Sequence, residues 1–240
     1  MRNKNEKTPL HLLLEKYDEK SDKYQDEIIK YFISKKANIN AVDARNYSVF
    51  DYTLINDNLN AANLILNLKN ELKNSSLINK FNIALNYGSI KVARLLIETL
   101  NGNDLKSNML TSSHTMILHS ICKFRFYLDE EKSKNLINLM KLLFEKINTT
   151  NPYDEFLKAK DAYDFMPIHL AIRNGNFQLT EFLIEKSKAQ LNFTGGLYGN
   201  SLIHFAAQNG SLLMLDLLIK HKADVKAINS RYKIHYFFIL

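Results

Sequence analysis

The string Met166-Pro167-Ile168-His169-Leu170-Ala171-Ile172-Arg173-Asn174-Gly175 returns 35 positions later as Ser201-Leu202-Ile203-His204-Phe205-Ala206-Ala207-Gln208-Asn209-Gly210. Each copy is followed by a second apolar cluster, Phe182-Leu183-Ile184 and Leu217-Leu218-Ile219. A third copy opens the chain with Thr8-Pro9-Leu10-His11. Its second half is Ile28-Ile29-Lys30-Tyr31-Phe32-Ile33, ending in Ala37-Asn38-Ile39-Asn40. Weaker copies fill the middle. Ser48-Val49-Phe50-Asp51 leads to Leu64-Ile65-Leu66, and Asn79-Lys80-Phe81-Asn82 leads through Ala84 and Gly88 to Leu95-Leu96-Ile97. Met116-Ile117-Leu118-His119 leads to Leu142-Leu143-Phe144, and Tyr232-Lys233-Ile234-His235 begins a seventh copy.

Such a repeat restricts the fold severely. Each unit carries two short apolar segments at helical spacing. Leu202, Ile203, Ala206 and Ala207 share one face, and Leu213, Leu217 and Leu218 share another. Neither helix can bury its face alone, so stacking against neighbours supplies the core. Ala84, Ala171 and Ala206 are small where helices must approach closely. Gly88, Gly175 and Gly210 are placed to end the first helix of their units in a left-handed conformation. Asp57 fills that place in the second unit and tolerates the conformation less well.

These residues resemble the ankyrin repeat, with its T-P-L-H-x-A-A signature, a following glycine, a leucine pair and a period near 33. The resemblance covers essentially the whole chain. It implies an all-α solenoid of about six repeats plus a partial seventh, with short β-hairpin-like fingers. One domain over residues 1–240 is expected, with repeats at 5–40, 43–73, 75–105, 112–150, 161–193, 196–227 and 228–240. Asp43–Tyr47 and Asp161–Phe165 are similar to the family's fingers. Asn46, Asp164 and Gly199 hold the place where the family prefers glycine, and all three types are found at positive φ. In the family the fourth motif residue hydrogen-bonds neighbouring finger backbone. The resemblance therefore makes His11, His119, His169, His204 and His235 structural. His114 and His221 lie outside the motif and read as surface or turn residues.

Three stretches depart from the pattern. Glu15–Gln25 and Phe124–Asn135 are insertions expected to lengthen helices or loops at one edge. Asn151–Lys158 is extra and is expected to form a short helix or turn before the fifth finger. Gly195-Gly196-Leu197-Tyr198-Gly199 suggests a phosphate loop at first sight. It lacks the lysine and the strand-to-helix context, and reads as a finger turn. Ile234–Leu240 begins a repeat and stops, so either the natural chain continues or this end packs as an irregular cap.

Chemistry has few candidates. A single cysteine, Cys122, excludes an intrachain disulfide and a cysteine zinc site. It holds the second-alanine position of its helix, where a small buried thiol fits. His119, three residues earlier, belongs to the motif, and no zinc-protease, nucleophile-elbow or kinase motif is present. No enzyme activity, no cofactor and no metal are expected. The N-terminus is polar with no apolar signal region behind it. No run approaches the roughly 20 apolar residues that span a bilayer. The net charge of +7 suits an acidic partner, nucleic acid or an anionic membrane. The lysines are scattered, however, with no arginine stripe and no nucleic-acid motif, so a solvated surface is the plainer reading.

Ankyrin-family members usually bind partners through the finger tips and the exposed face of each first helix. Carried onto this chain, those positions are Arg45, Tyr47, Ile55 and Asn56 in the second unit and Asn86 and Tyr87 in the third. The fourth offers Thr115, Lys123 and Phe124, and the fifth Tyr163, Phe165, Arg173 and Asn174. The sixth offers Leu197, Tyr198, Asn200, Gln208 and Asn209. Tyr, Phe and Arg are enriched in protein interfaces, and no acidic residue is in the set, which predicts a neutral to basic face. The competing reading is that the finger aromatics pack on their neighbours and stabilise the hairpins. The resemblance thus implies a monomeric, cytoplasmic protein-interaction module or scaffold. A basic surface for nucleic acid or anionic membrane, and a targeting arm of a longer enzyme, stay open as alternatives. Degenerate ankyrin repeats in an Asn- and Lys-rich chain are similar to effectors that intracellular bacteria deliver into host cells. That resemblance would put the working site in a host cytoplasm.

Overall fold

Helices as short as these are marginal alone in water, so their pairing decides the fold. The computed structural model describes residues 2–16, 22–68, 74–110, 117–123, 130–147, 156–187 and 191–230. They fall into two compact units, Met1–Asp104 and Leu105–Leu240. The first unit holds α1 (Pro9–Glu15), α2 (Asp22–Ser34), α3 (Val49–Ile55), α4 (Leu59–Leu66), α5 (Asn74–Tyr87) and α6 (Ile90–Thr99). The boundary falls within α7 (Gly102–Leu110). The second unit holds α8 (Ile117–Cys122), α9 (Glu130–Ile147), α10 (Pro167–Arg173) and α11 (Phe177–Ser187). The two-stranded β1 (Thr194–Gly195) and β2 (Asn200–Ser201), α12 (Leu202–Gln208) and α13 (Leu212–Lys220) follow.

Each unit has two helical layers. In the first, α1, α3 and α5 pack in one row and α2, α4 and α6 in the other. In the second, α8, α10 and α12 form one row and α9, α11 and α13 the other. Between the rows Leu14, Phe50, Phe81 and Leu96 are buried in the first unit, and Ile121, Leu143, Leu183 and Leu218 in the second. Ala84, Ala171 and Ala206 are fully buried, which lets neighbouring backbones close up.

The first helices start where the sequence allows it. Pro9 and Pro167 need no amide partner, so each can open a helix. The helices end as expected: Gly88, Gly175 and Gly210 sit at φ 79°, 72° and 63°. Asp57 holds the same geometry at φ 51°. Its Oδ1 accepts from Val92 N at 3.0 Å, at the N-terminus of α6, where a carboxylate is favoured. That contact offsets the strain of a non-glycine residue there.

Three features lie outside the sequence expectation. A finger precedes α1: Asn3 Oδ1 accepts from Asn5 N and Lys7 N at 2.9 Å each, and Glu6 takes φ 58°. The third repeat's first helix already runs through residues 74–78, which align with the Asp43–Tyr47 finger. The helix α7 had no counterpart in the repeat pattern. The insertions feed two long second helices: α2 starts at Asp22 and the 18-residue α9 at Glu130. Residues 17–21, 124–129, 151–155 and 231–240 lie outside the described residues, so His235 and the run Ile234–Leu240 do too. Of the extra segment before the fifth finger, Phe156 and Leu157 are helical and buried.

The stretch at Gly195–Gly199 forms a hairpin, with Thr194 opposite Ser201 and Gly195 opposite Asn200. A Cβ at Gly195 would stand 2.8 Å from the Asp164 carbonyl oxygen and 3.1 Å from His169 Nε2. A Cβ at Gly199 would meet open space, at φ 60°. Gly195→Ala should therefore lower stability by about 2 kcal/mol through overpacking against backbone. Gly199→Ala should lower it by about 1 kcal/mol through left-handed strain alone. Urea midpoints of the two variants check the order, and the reverse order would refute this account of the hairpin.

Candidate interaction surface

The fingers are held stiff by their first residue. Asp43 Oδ1 accepts from Arg45 N and Tyr47 N at 2.9 Å each, and Asp43 N donates to Tyr47 O at 2.9 Å. Asp161 repeats this with Tyr163 N at 2.9 Å and Phe165 N at 3.0 Å. Asn46 and Asp164 complete the turns at φ 63° and 65°. Burial works to raise the Asp43 carboxyl. The Tyr52 hydroxyl, donating at 2.7 Å, and the two backbone amides outweigh it and hold the group below its ordinary value. Such turns present residues 45 and 163 at their tips on a fixed backbone.

Two motif histidines tie a finger to the helix before it. His11 Nδ1 accepts from Thr8 N at 3.1 Å, while Nε2 lies 3.2 Å from the Tyr47 carbonyl oxygen. A carbonyl only accepts, so the proton sits on Nε2 and the ring is neutral. His119 Nε2 reaches the Phe165 carbonyl oxygen at 2.8 Å. His169 and His204 Nδ1 accept from Met166 N and Ser201 N at 3.1 Å and 3.3 Å.

Between the fifth and sixth fingers of the second unit lies an open groove of about 540 Å³. Its floor is Phe165 against Phe205, with ring centroids 5.7 Å apart in an edge-to-face arrangement. A Cβ at Gly196 would touch the Phe165 ring at 2.8 Å, so the sixth finger lies flat on that ring. Tyr163, Leu197 and Tyr198 stand at the tips, 64 %, 92 % and 36 % exposed. Arg173 and Gln208 line the groove from the ends of α10 and α12. The Arg173 guanidinium lies 5.6 Å from the Phe165 ring centre, a cation–π contact.

Residues 130–229 match the ankyrin repeats family, Ank_2, in three copies. Those residues are ankyrin repeats, and the chain has the ankyrin-repeat fold. The human ASB11 ankyrin repeat domain is similar in fold, with a TM-score of 0.64 at 16 % identity over 95 % of this chain and 90 % of that one. The ankyrin repeat domain of Bcl-3, described as a unique member of the IkappaB protein family, gives 0.62 at 15 % over 95 % and 92 %. No curated protein sequence matches. Ankyrin-repeat domains are generally protein–protein interaction modules.

Against that family background the residues expected to face a partner divide into two groups. Tyr163, Phe165, Arg173, Leu197, Tyr198, Asn200 and Gln208 come together at the one groove. Phe165 is its floor and Asn200 is buried, its Oδ1 accepting from Asn229 Nδ2 at 2.8 Å. Asn200 thus joins neighbouring fingers and is withdrawn from any partner. The asparagines at the ends of the first helices are each tied to a neighbouring helix, and of them Asn174 is buried, Asn56 half-buried and Asn209 exposed. Asn56 Nδ2 donates to the Leu14 carbonyl at 2.6 Å and Asn174 Nδ2 to that of Cys122 at 3.2 Å. Asn209 Nδ2 donates to the Ile172 carbonyl. Each latches its helix end to the preceding one. In the first unit Arg45 and Asn86 are exposed, Ile55 is half-buried, and the Tyr47 and Tyr87 hydroxyls meet at 3.1 Å. Lys123 is exposed. Thr115, Phe124 and His114 lie outside the described residues, and His221 is exposed in the turn after α13.

The sequence reading missed Asp164, which lines the groove. Its Oδ1 pairs with Lys160 Nζ at 2.7 Å, so the finger itself neutralises this one acidic group.

The chain's one thiol is in no position to act as a nucleophile. Cys122 is fully buried, and burial pushes its pKa up, away from the thiolate that reactivity needs. The His119 ring beside it in sequence is directed to the Phe165 carbonyl. Among the described residues no group of three or more His, Cys, Asp or Glu could hold a metal ion. No helix among them is long and apolar enough to cross a membrane.

Proposed function

We propose that this chain is an interaction module that takes an extended segment of a partner protein into the groove of its second unit. The observation that carries the reading is the cluster of Leu197, Tyr163 and Tyr198 at the finger tips. A single exposed leucine is ordinary. Here three large side chains surround one groove on stiffened turns, and a preformed apolar face lowers the entropic cost of binding. Burying apolar surface at about 25 cal/mol per Å² would then favour association. Arg45, Asn86 and Tyr87 make a second proposed contact set, on the first unit.

The test is a triple variant, Tyr163→Ala with Leu197→Ser and Tyr198→Ala. It should keep its helical circular dichroism and its melting temperature within a few degrees, because the tips contribute little to the core. Used as bait in a lysate beside the unmodified chain, it should lose at least about 90 % of the proteins that the unmodified chain retains. Equal retention by the two baits would sink this face.

A further inference from the structure

Lys123, Arg173 and Gln208 each stand four residues after a motif histidine, so they hold one repeat position at the ends of three successive first helices, Lys123 just past the last residue of α8. α8 packs on α10, and α10 on α12, which sets the three side chains in a row across the second unit. Two of the three are cations. Among the described residues neither Lys123 nor Arg173 has a carboxylate at ion-pair distance, and the groove's own acid, Asp164, is held by Lys160. Arg173 is also placed in advance, with its guanidinium 5.6 Å from the Phe165 ring centre in a cation–π contact. A supported, unpaired guanidinium is a ready acceptor site for a carboxylate, which it can bind through two parallel hydrogen bonds.

Spacing narrows the occupant further. Packed helices lie roughly 10 Å apart. A polyproline II chain has three residues per turn and rises about 3.1 Å per residue, so every third side chain returns to one face after roughly 9 Å. A β-strand returns every second residue, after roughly 7 Å, and fits the row less well.

Resting on the docking reading above, we propose that the occupant is an acidic peptide segment in polyproline II conformation. Carboxylates three residues apart meet Lys123 and Arg173, and an aromatic side chain three residues further on lies against Leu197.

The probes are three labelled synthetic peptides read by fluorescence anisotropy against the full chain: Glu-Pro-Ser-Glu-Pro-Ser-Tyr-Pro-Ser and its Gln and Lys counterparts. The Glu peptide should bind at least roughly tenfold tighter than the Gln peptide. R173E should erase that preference and favour the Lys peptide, with circular dichroism unchanged. Equal binding of the Glu and Gln peptides, both weakened by Leu197→Ser, overturns the acidic occupant and leaves the docking reading intact. Failure of all three peptides to bind at millimolar concentration also overturns the acidic occupant, while the lysate comparison judges the groove separately. Tighter binding of single-stranded RNA than of the Glu peptide, lost in R173E, would make the row a nucleic-acid contact and overturn the proposal.

Discussion

Lys80→Ala is expected to destabilise the first unit by about 3 kcal/mol, more than any other exchange of a polar side chain in it. Asp51 stands where other repeats have the motif histidine, and its side chain is 2 % exposed. Ser48 N and Oγ donate to Oδ2 at 2.7 Å each, and Lys80 Nζ lies 2.6 Å from both carboxylate oxygens. Removing the ammonium leaves a buried carboxylate with two hydrogen bonds and no cation, a loss that ranges over about 3–5 kcal/mol in buried pairs. The two Ser48 donors place this one at the low end. The double variant Lys80→Ala with Asp51→Asn should recover at least about half of the loss, since no net charge stays buried. Urea unfolding of the single and double variants decides the matter. A Lys80→Ala cost under about 1 kcal/mol, or strict additivity in the cycle, would show that the pair is not coupled.

That pair explains why the second repeat departs from the motif at its fourth position. His11 and His119 each point at a finger carbonyl of the next repeat. The residues that would make the third finger, 74–78, are helical, and their carbonyls belong to the helix. A histidine at position 51 would find no acceptor there. The chain instead sets a carboxylate opposite Lys80, 29 residues away. Repeat spacing aligns Asp51 with the histidines but does not say what it faces. The same limit hid the finger at Asn3–Lys7, whose first residue is Asn in place of Asp and whose left-handed residue is Glu6. It hid α7 as well, because nothing in a repeat pattern announces an element that does not repeat.

The surface was legible to a similar depth. Repeat position put Tyr163, Arg173, Tyr198 and Gln208 on one face, and they line one groove. Position could not separate a side chain that faces solvent from one turned back along the stack. Asn56 and Asn174 share a place beside the helix-ending residue. Each amide runs back to the preceding helix, satisfying a carbonyl that the helix end leaves open. Asparagine is suited to that latch because it is short and donates two hydrogens. At the fifth finger the packing reading holds for Phe165, which is floor for Phe205 and support for Arg173.

The buried histidines make the second expected result an acid-sensitive fold. The His169 pKa is lowered from 6.5 to about 4, with burial the largest cause. Within that net shift the Phe193 backbone, Asp164 and Asp161 act to raise it and nearby Lys160 to lower it. Burial also lowers His11 and His119, against the raising effect of the Tyr47 and Phe165 carbonyls that their rings meet. A histidine with a depressed folded pKa binds its proton more readily once unfolded. Its contribution is therefore whole above pH 6.5 and falls away as the pH drops toward 4. At 1.36 kcal/mol per pKa unit, His169 alone removes about 3 kcal/mol by pH 4, and His11 and His119 add to it. Asp43 is held below its ordinary carboxylate value, so its loss begins only under about pH 4 and stays separate from the histidine window. Thermal unfolding at pH 7.5, 6.0, 5.0 and 4.5 should thus show a steadily falling midpoint. His169→Gln should start lower at pH 7.5, having lost the Nδ1 acceptor for Met166 N, and should then fall less steeply between pH 6.5 and 4.5. Parallel slopes for the two proteins would mean that His169 does not carry the linkage, and the sensitivity would have to come from the other motif rings.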